Sequence, residues 1–201
     1  MNRNIARPPP SSQIAVFGAG AVGLSAILAT KLCSPTSSIY LIDNSSAKLD
    51  SLRTNSSSIM EGVVAIDSAS QTSVEALASH IKSFTPNGRG VDVALDCVGK
   101  EAVTGACHAI LDKCGLLLNI GSSAGEKAGF LLAEQLVRGI TVRGTHQGDS
   151  VPWIMIPHLI ELWKKGCLPF DRLLTEYKFE DLDKAIEDVK AGRVIKPLLV
   201  M

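Results

Sequence analysis

The chain carries no surplus of either charge: its 201 residues hold 20 Lys and Arg against 20 Asp and Glu. Without a basic excess it offers no electrostatic footprint for nucleic acid or for a polybasic membrane anchor. No apolar run approaches the ~18 residues of a membrane span, and no signal-peptide core opens the sequence. The five cysteines, Cys33, Cys97, Cys107, Cys114 and Cys167, include no C-x-x-C pair and are odd in number. They read as reduced thiols of a cytoplasmic protein, used mostly for packing. No Cys and His cluster has metal-ligand spacing, so no zinc is expected. Internal repeats are absent. Met1 to Ser12, MNRNIARPPPSS, has two arginines and no acid, yet it is short and lacks an amphipathic pattern. A disordered, Pro-rich lead-in is expected there rather than a transit peptide.

What is present is a substantial apolar fraction, 46%, enough for one domain with an appendage. Its clearest signal is Gln13 to Cys33, QIAVFGAGAVGLSAILATKLC. Ile14 to Phe17 reads as a buried strand, Gly18-Ala19-Gly20-Ala21-Val22-Gly23 as a turn, and Leu24 to Cys33 as a helix. Strand, glycine turn and helix form the context that gives G-x-G-x-x-G its meaning. Gly18 permits the tight turn, Gly20 lets a pyrophosphate approach the backbone, and Gly23 lets helix and strand pack closely. The helix then aims free N–H groups and a positive dipole end at the phosphates.

A second strand, Ser38 to Ile42, ends in Asp43, 20 residues beyond Gly23. A carboxylate there binds adenosine ribose hydroxyls and repels the extra phosphate of NADP, so NAD is favoured. The same acid suits the N-terminus of a helix starting near Ser45 or Ser46. Lys48 either reaches the ribose or stands exposed. Further strands are expected at Val63–Ile66, Val91–Gly99, Leu116–Ile120 and Ile140–His146. Helices are expected between them, over the Val74–Ile81 stretch, from Val103 to a stop at Cys114-Gly115, and over Phe130–Arg138. This alternation predicts an α/β fold, a doubly wound parallel Rossmann sheet ordered 3-2-1-4-5-6 over residues 13–150, with its ligand at the carboxyl ends. Residues 151–201 form a C-terminal helix–strand appendage packed on it. Val151 to Lys165 is apolar nearly all round, which demands burial on more than one face. A polar helix over Glu180–Ala191 and a closing strand over Val194–Val200 follow.

The order FGAGAVGL, LID, GVDVALDCVG, LLLNIG, ITVRGTHQGDSVP and FEDLDKAIEDVKAG-RVIKPLLVM resembles the medium-chain alcohol dehydrogenases, closest to their aryl (benzyl-type) branch. The likeness runs from about Gln13 to Met201. It implies cofactor contacts from the glycine fingerprint (Gly18, Gly20, Ala21, Val22, Gly23), Asp43 and Lys48. It implies them also from Cys97, Val98 and Gly99, from Ile120, Gly121 and Ser122, from Thr145, His146 and Gln147, and from Lys196 near the pyrophosphate. The stretch Arg53 to Glu61, RTNSSSIME, departs from the usual Leu-Gly-Ala turn and is expected to loosen the adenine side. Such enzymes carry, ahead of this region, a GroES-like domain with the zinc ligands, so no zinc ligand carries over to any residue here. The resemblance also implies a homodimer paired through the sixth-strand edge, with Val151 to Trp163 as a second candidate surface.

Zinc lowers the pKa of bound water from ~15.7 to ~7, worth about 11 kcal/mol if an alcohol shifts alike. One positioned acid or base supplies about 3–5 kcal/mol. Alcohol oxidation by the zinc route is therefore disfavoured in this stretch alone. Reduction of an activated carbonyl or enone needs only a hydride and a proton donor, and His146 is the candidate donor; a loop histidine without a role is the alternative. Gly121-Ser122-Ser123-Ala124-Gly125 matches the hydrolase elbow G-x-S-x-G, but a poor helix start follows it. No Tyr-x-x-x-Lys pair exists. The expectation is an NAD-dependent, zinc-free oxidoreductase of a small carbonyl, enone or aromatic substrate in specialised metabolism. A non-redox isomerase or cyclase using the same cleft, and an inactive binding module, are the alternatives.

Overall fold

The computed structural model describes residues 6–128 and 130–201; Met1 to Ile5 of the expected lead-in and Gly129 lie outside the described residues. Six parallel strands, β1 (Gln13–Phe17), β2 (Ser38–Asp43), β3 (Val63–Asp67), β4 (Val91–Asp96), β5 (Leu111–Asn119) and β6 (Thr141–Gly144), form one sheet ordered β3-β2-β1-β4-β5-β6. This is the doubly wound order anticipated. Each central strand alternates its side chains between two apolar layers. Ile14 and Val16 meet Leu24, Ile27, Leu41 and Leu95 on one face, whereas Ala15 and Phe17 meet Tyr40, Ile42, Ile81 and Ile110 on the other. A strand buried on both sides needs the near-continuous apolar run that β1, β2 and β4 possess.

Helices α1 (Ala21–Cys33), α2 (Ser46–Asn55) and α3 (Ser57–Met60) run between β1 and β3, and α4 (Val74–Ser83) and α5 (Glu101–Ile110) flank β4. Two are capped as the sequence allows: Ser45 Oγ accepts from the Lys48 amide and Ser73 Oγ from the Ala76 amide. Then come α6 (Leu132–Arg138), α7 (Pro152–Lys164), β7 (Leu174–Lys178), α8 (Leu182–Lys190) and β8 (Lys196–Val200). β7 and β8 pair in parallel as a separate two-stranded sheet, with Leu174 opposite Lys196 and Lys178 opposite Val200.

Several local expectations are corrected. The helix expected to run to Cys114-Gly115 stops at Ile110, because Leu111 already pairs with Val91 at the start of β5. Asp112 to Gly115 then bulge from the ladder, with Cys114 at φ 60°, before Leu116 rejoins Val93. β4 ends at Asp96 rather than Gly99, β6 ends at Gly144 rather than His146, α1 starts at Ala21 rather than Leu24, and α3 and β7 are additional elements. The divergent stretch Arg53 to Glu61 is not loose: Ile59 and Met60 are buried in the core, and the Lys31 ammonium donates to the Glu61 carbonyl at 2.6 Å. The described part of the lead-in is likewise tied down. Ala6 packs on the core, Ser12 is buried, and the Ser38 amide donates to the Ser12 carbonyl at 3.0 Å. The largest correction concerns α7: no residue of it is buried, and Trp153, Ile154 and Ile156 are 79%, 66% and 55% exposed. One face turns toward α1, Trp163 meets Phe170 and Asp171, and Trp153, Ile154 and Ile156 stay uncovered among the described residues.

Candidate functional site

The site begins where β1 runs into α1. The Gly18 amide donates to the Ile42 carbonyl at 2.8 Å, and its φ of +96° bends the chain back over the strand end. A Cβ at Gly18 would stand 2.8 Å from Val98 Cγ2, and one at Gly23 only 1.9 Å from the Gly18 carbonyl oxygen. Gly20 differs: its backbone is ordinary extended chain, and a Cβ there would meet nothing within 4 Å. Helix α1 therefore opens on empty space, without a side-chain cap and without an acid in its first turn. Its free amides and dipole end suit an anion. Ala21 is half-buried and Val22 exposed on that first turn.

Asp43 closes β2 and is buried. Its Oδ2 accepts from the Ala19 amide at 2.7 Å and its Oδ1 from the Ser45 amide at 2.9 Å, so the carboxylate laces the glycine turn to the start of α2. The Lys48 ammonium stands 3.5 Å from Oδ2. Lys48 thus pairs with Asp43 rather than standing alone.

Across the sheet, β4 ends in a second acid, Asp96, wholly removed from solvent. Its Oδ1 accepts from the amides of Val98 at 2.9 Å and Gly99 at 2.8 Å, and its Oδ2 from the Thr104 hydroxyl at 2.7 Å. Its carbonyl accepts from the amides of Ile120 and Gly121, at 2.9 and 2.8 Å. The two turns touch backbone to backbone: a Cβ on Gly99 would fall 2.5 Å from Gly121, and one on Gly121 2.5 Å from Cys97. Burial, aided by Asp96, pushes the Cys97 thiol up to about 12, which leaves it an inert packing group.

The ends of β4, β5 and β6 enclose a cleft of about 560 Å³, lined among others by Asp96, Gly99, Asn119, Ile120, Gly121, Ser122, Thr145, His146 and Asp149. The Glu126 carboxylate, also on its wall, accepts from the Glu101 amide at the start of α5. Thr145 donates to Asp149 Oδ1 at 3.0 Å and Arg143 to Oδ2 at 2.7 Å, which hold that exposed carboxyl below its ordinary range, the hydroxyl first. His146 is exposed on the cleft, and no side-chain hydrogen bond to it occurs among the described residues.

The candidate residues thus fall into groups. The glycine turn, Asp43 and Lys48 serve one half of the sheet edge, and Gly99, Ile120 to Ser122, Thr145 and His146 gather at the other. Cys97 and Val98 bridge the halves, since the Cys97 amide donates to the Phe17 carbonyl and Val98 covers Gly18. Gln147 turns instead to an apolar cavity of about 470 Å³ between α1 and α7. Lys196 begins β8, exposed, and does not line the cleft. Asp96, Asn119 and Asp149 were missed, although Asp96 repeats the Asp43 signal, an acid closing an apolar strand. No helix follows Gly125 directly, so the hydrolase-elbow geometry is not formed. Among the described residues, no three His, Cys, Asp or Glu side chains gather as a metal site.

The profile of the family described as zinc-binding dehydrogenase matches residues 21–165. Geraniol dehydrogenase of Castellaniella defragrans is 29% identical over 192 residues, spanning 95% of this chain and 48% of its own length. The benzyl alcohol dehydrogenase structure from Acinetobacter calcoaceticus superposes with a TM-score of 0.84 at 30% identity, over 98% of this chain and 52% of that one. An alcohol dehydrogenase zinc-binding domain protein from Burkholderia ambifaria gives 0.80 at 32% identity, over 100% and 51%. The chain spans about half the length of the curated relatives it matches. With this fold and this sheet edge, the chain belongs to the zinc-binding dehydrogenase family, the medium-chain alcohol dehydrogenases, and corresponds to their nucleotide-binding half.

Proposed function

We propose that the chain binds NAD(H) along the carboxyl edge of its sheet and serves hydride exchange with a small carbonyl, enone or aromatic substrate. Gly20 carries this reading. Neither backbone conformation nor packing requires glycine there, whereas Gly18 and Gly23 are required by their neighbours. A close-approaching diphosphate at the uncapped start of α1 explains it. Asp43, buried against the glycine turn with Lys48 beside it, takes the ribose hydroxyls and disfavours the additional phosphate of NADP. Bound nicotinamide supplies or accepts the hydride. The chain's own residues hold and orient it through Ile120 to Ser122, Thr145 and His146, and His146 delivers the proton to substrate oxygen or carbon.

A zinc-free route remains part of the proposal, since reduction of an activated carbonyl needs only a hydride and a proton donor. Relatives named for geraniol and benzyl alcohol favour an apolar or aromatic substrate. Among the described residues no helix is long and apolar enough to cross a membrane, and a cytoplasmic location is part of the proposal. A homodimer paired along β6 is part of the proposal. A second reading, a binding module without turnover, draws on His146, which no described side chain orients.

Calorimetric titration with NADH and NADPH tests the proposal. NADH binds at least about tenfold more tightly than NADPH, and Asp43→Ala narrows that preference. If neither nucleotide binds, the redox reading falls. Tight NADH binding without consumption of any offered carbonyl favours the binding module, and product formed without nicotinamide favours the isomerase or cyclase.

A further inference from the structure

We infer that Asp96 is the positioning residue of the nicotinamide side of the cleft: it touches no cofactor, yet it sets the two turns that do. The inference rests on the NAD(H) reading given above. In a doubly wound sheet each βαβαβ half takes one mononucleotide, and the half with the glycine turn and the acid of β2 takes adenosine. The cleft lined by the ends of β4, β5 and β6 is then left for the nicotinamide mononucleotide.

Both turns facing that cleft hang on one residue. The Asp96 side chain accepts two amides of the β4 turn and the Thr104 hydroxyl of α5, while its carbonyl accepts two amides of the β5 turn. Gly99 and Gly121 stand so close that any shift of one turn displaces the other. Asp96 lies at the floor of the cleft with no exposed surface and with both carboxylate oxygens taken by Val98, Gly99 and Thr104, so its effect passes through the amides it aims. A carboxylate is also the stronger anchor, because hydrogen bonds to charged acceptors exceed those to neutral ones. Asp43 does the corresponding work for the glycine turn, through the Ala19 amide. Each half of the sheet therefore carries one acid that orders its own ligand-facing backbone.

The consequence is a selectivity that a merely structural role would not produce. NADH touches both halves, whereas ADP-ribose, which lacks the nicotinamide ring, leans on the adenosine half. Asp96→Asn preserves shape but weakens the acceptor; it lowers NADH affinity about fivefold and leaves ADP-ribose within about twofold. Asp96→Ala frees both amides and lowers NADH affinity at least about twentyfold with the same ADP-ribose result. If the alanine variant does not melt cooperatively, the asparagine variant decides alone. Unchanged NADH binding in Asp96→Asn, or parallel losses of NADH and ADP-ribose, overturns the inference. Failure of the unaltered chain to bind NADH strikes the NAD(H) reading itself, a different outcome.

Discussion

Gly20 and Gly23 sit three residues apart in one turn and have opposite consequences when given a methyl group. At Gly23 the new Cβ would stand 1.9 Å from the Gly18 carbonyl oxygen, so helix and strand must separate. Gly23→Ala is expected to cost about 3 kcal/mol of folding stability, seen as a lowered urea midpoint. Gly20→Ala meets empty space and leaves that midpoint within about 0.5 kcal/mol, while NADH affinity falls by more than about tenfold in calorimetry. Loss of stability at Gly20 would return the turn to ordinary packing. His108 offers a different residue-level test. It is 1% exposed, stacked on Phe130 at 4.4 Å, with Nε2 lacking a partner among the described residues. Burial first, then Arg138, lowers its imidazole below the ordinary value, with Glu134 opposing. The folded chain thus holds it neutral while the unfolded chain takes a proton near ~6.5, so its contribution is intact above that pH and declines below it. His108→Phe should flatten the loss of urea stability between pH 7.5 and 5.5, as compared with the unaltered chain. An equal loss in both would remove His108 as a cause.

At the scale of elements, the central strands were legible from their apolar runs and α8 from its helical spacing, while the buried α3 was not. β1, β2 and β4 are apolar runs closed by a turn or an acid, and their order followed from βαβ alternation alone. The bulge at Asp112 to Gly115 hid the true start of β5, because Cys114-Gly115 looks like a helix stop while the ladder has already begun. β7 escaped because all of LTEYK except the half-buried Tyr177 is exposed in a two-stranded sheet, so no apolar alternation marks it. Asp43 was found because a glycine motif pointed to it; Asp96, with the same form, had no motif before it. α7 was misjudged for a physical reason. Its composition demands cover, yet the residues present supply only α1 and the turn around Phe170, leaving Trp153 outside. In Trp163→Phe, where Trp153 is the remaining indole, dilute protein is expected to fluoresce as water-exposed tryptophan and to be quenched by iodide. A blue-shifted, iodide-resistant emission at the lowest concentrations would show that α7 is covered within one chain.

The main sheet has β3 and β6 as its edges, and one group of exposed apolar side chains lies on the helix that leads into β6. On α6, which leads into β6, Leu132, Leu136 and Val137 are 78%, 82% and 80% exposed. An unpaired edge beside such a surface invites pairing with a second chain, and two-fold pairing along one edge uses the same patch on both partners. A stable dimer buries about 1,200–2,000 Å² in total, which an edge strand with its adjoining helix can approach. Light scattering is therefore expected to give a dimer mass at micromolar concentration, falling toward the monomer on dilution. Leu136→Lys with Val137→Lys places four like charges across the two-fold contact, counting both chains, and should hold the protein monomeric. NADH binding should survive that change, since neither residue lines the cleft. Pairing and nucleotide binding are then separable properties of two different edges: the side of the sheet at β6 and the carboxyl ends of its strands. A mass that stays monomeric across concentration in the unaltered chain would refute the edge-paired dimer while leaving the cleft and its two ordering acids as they stand.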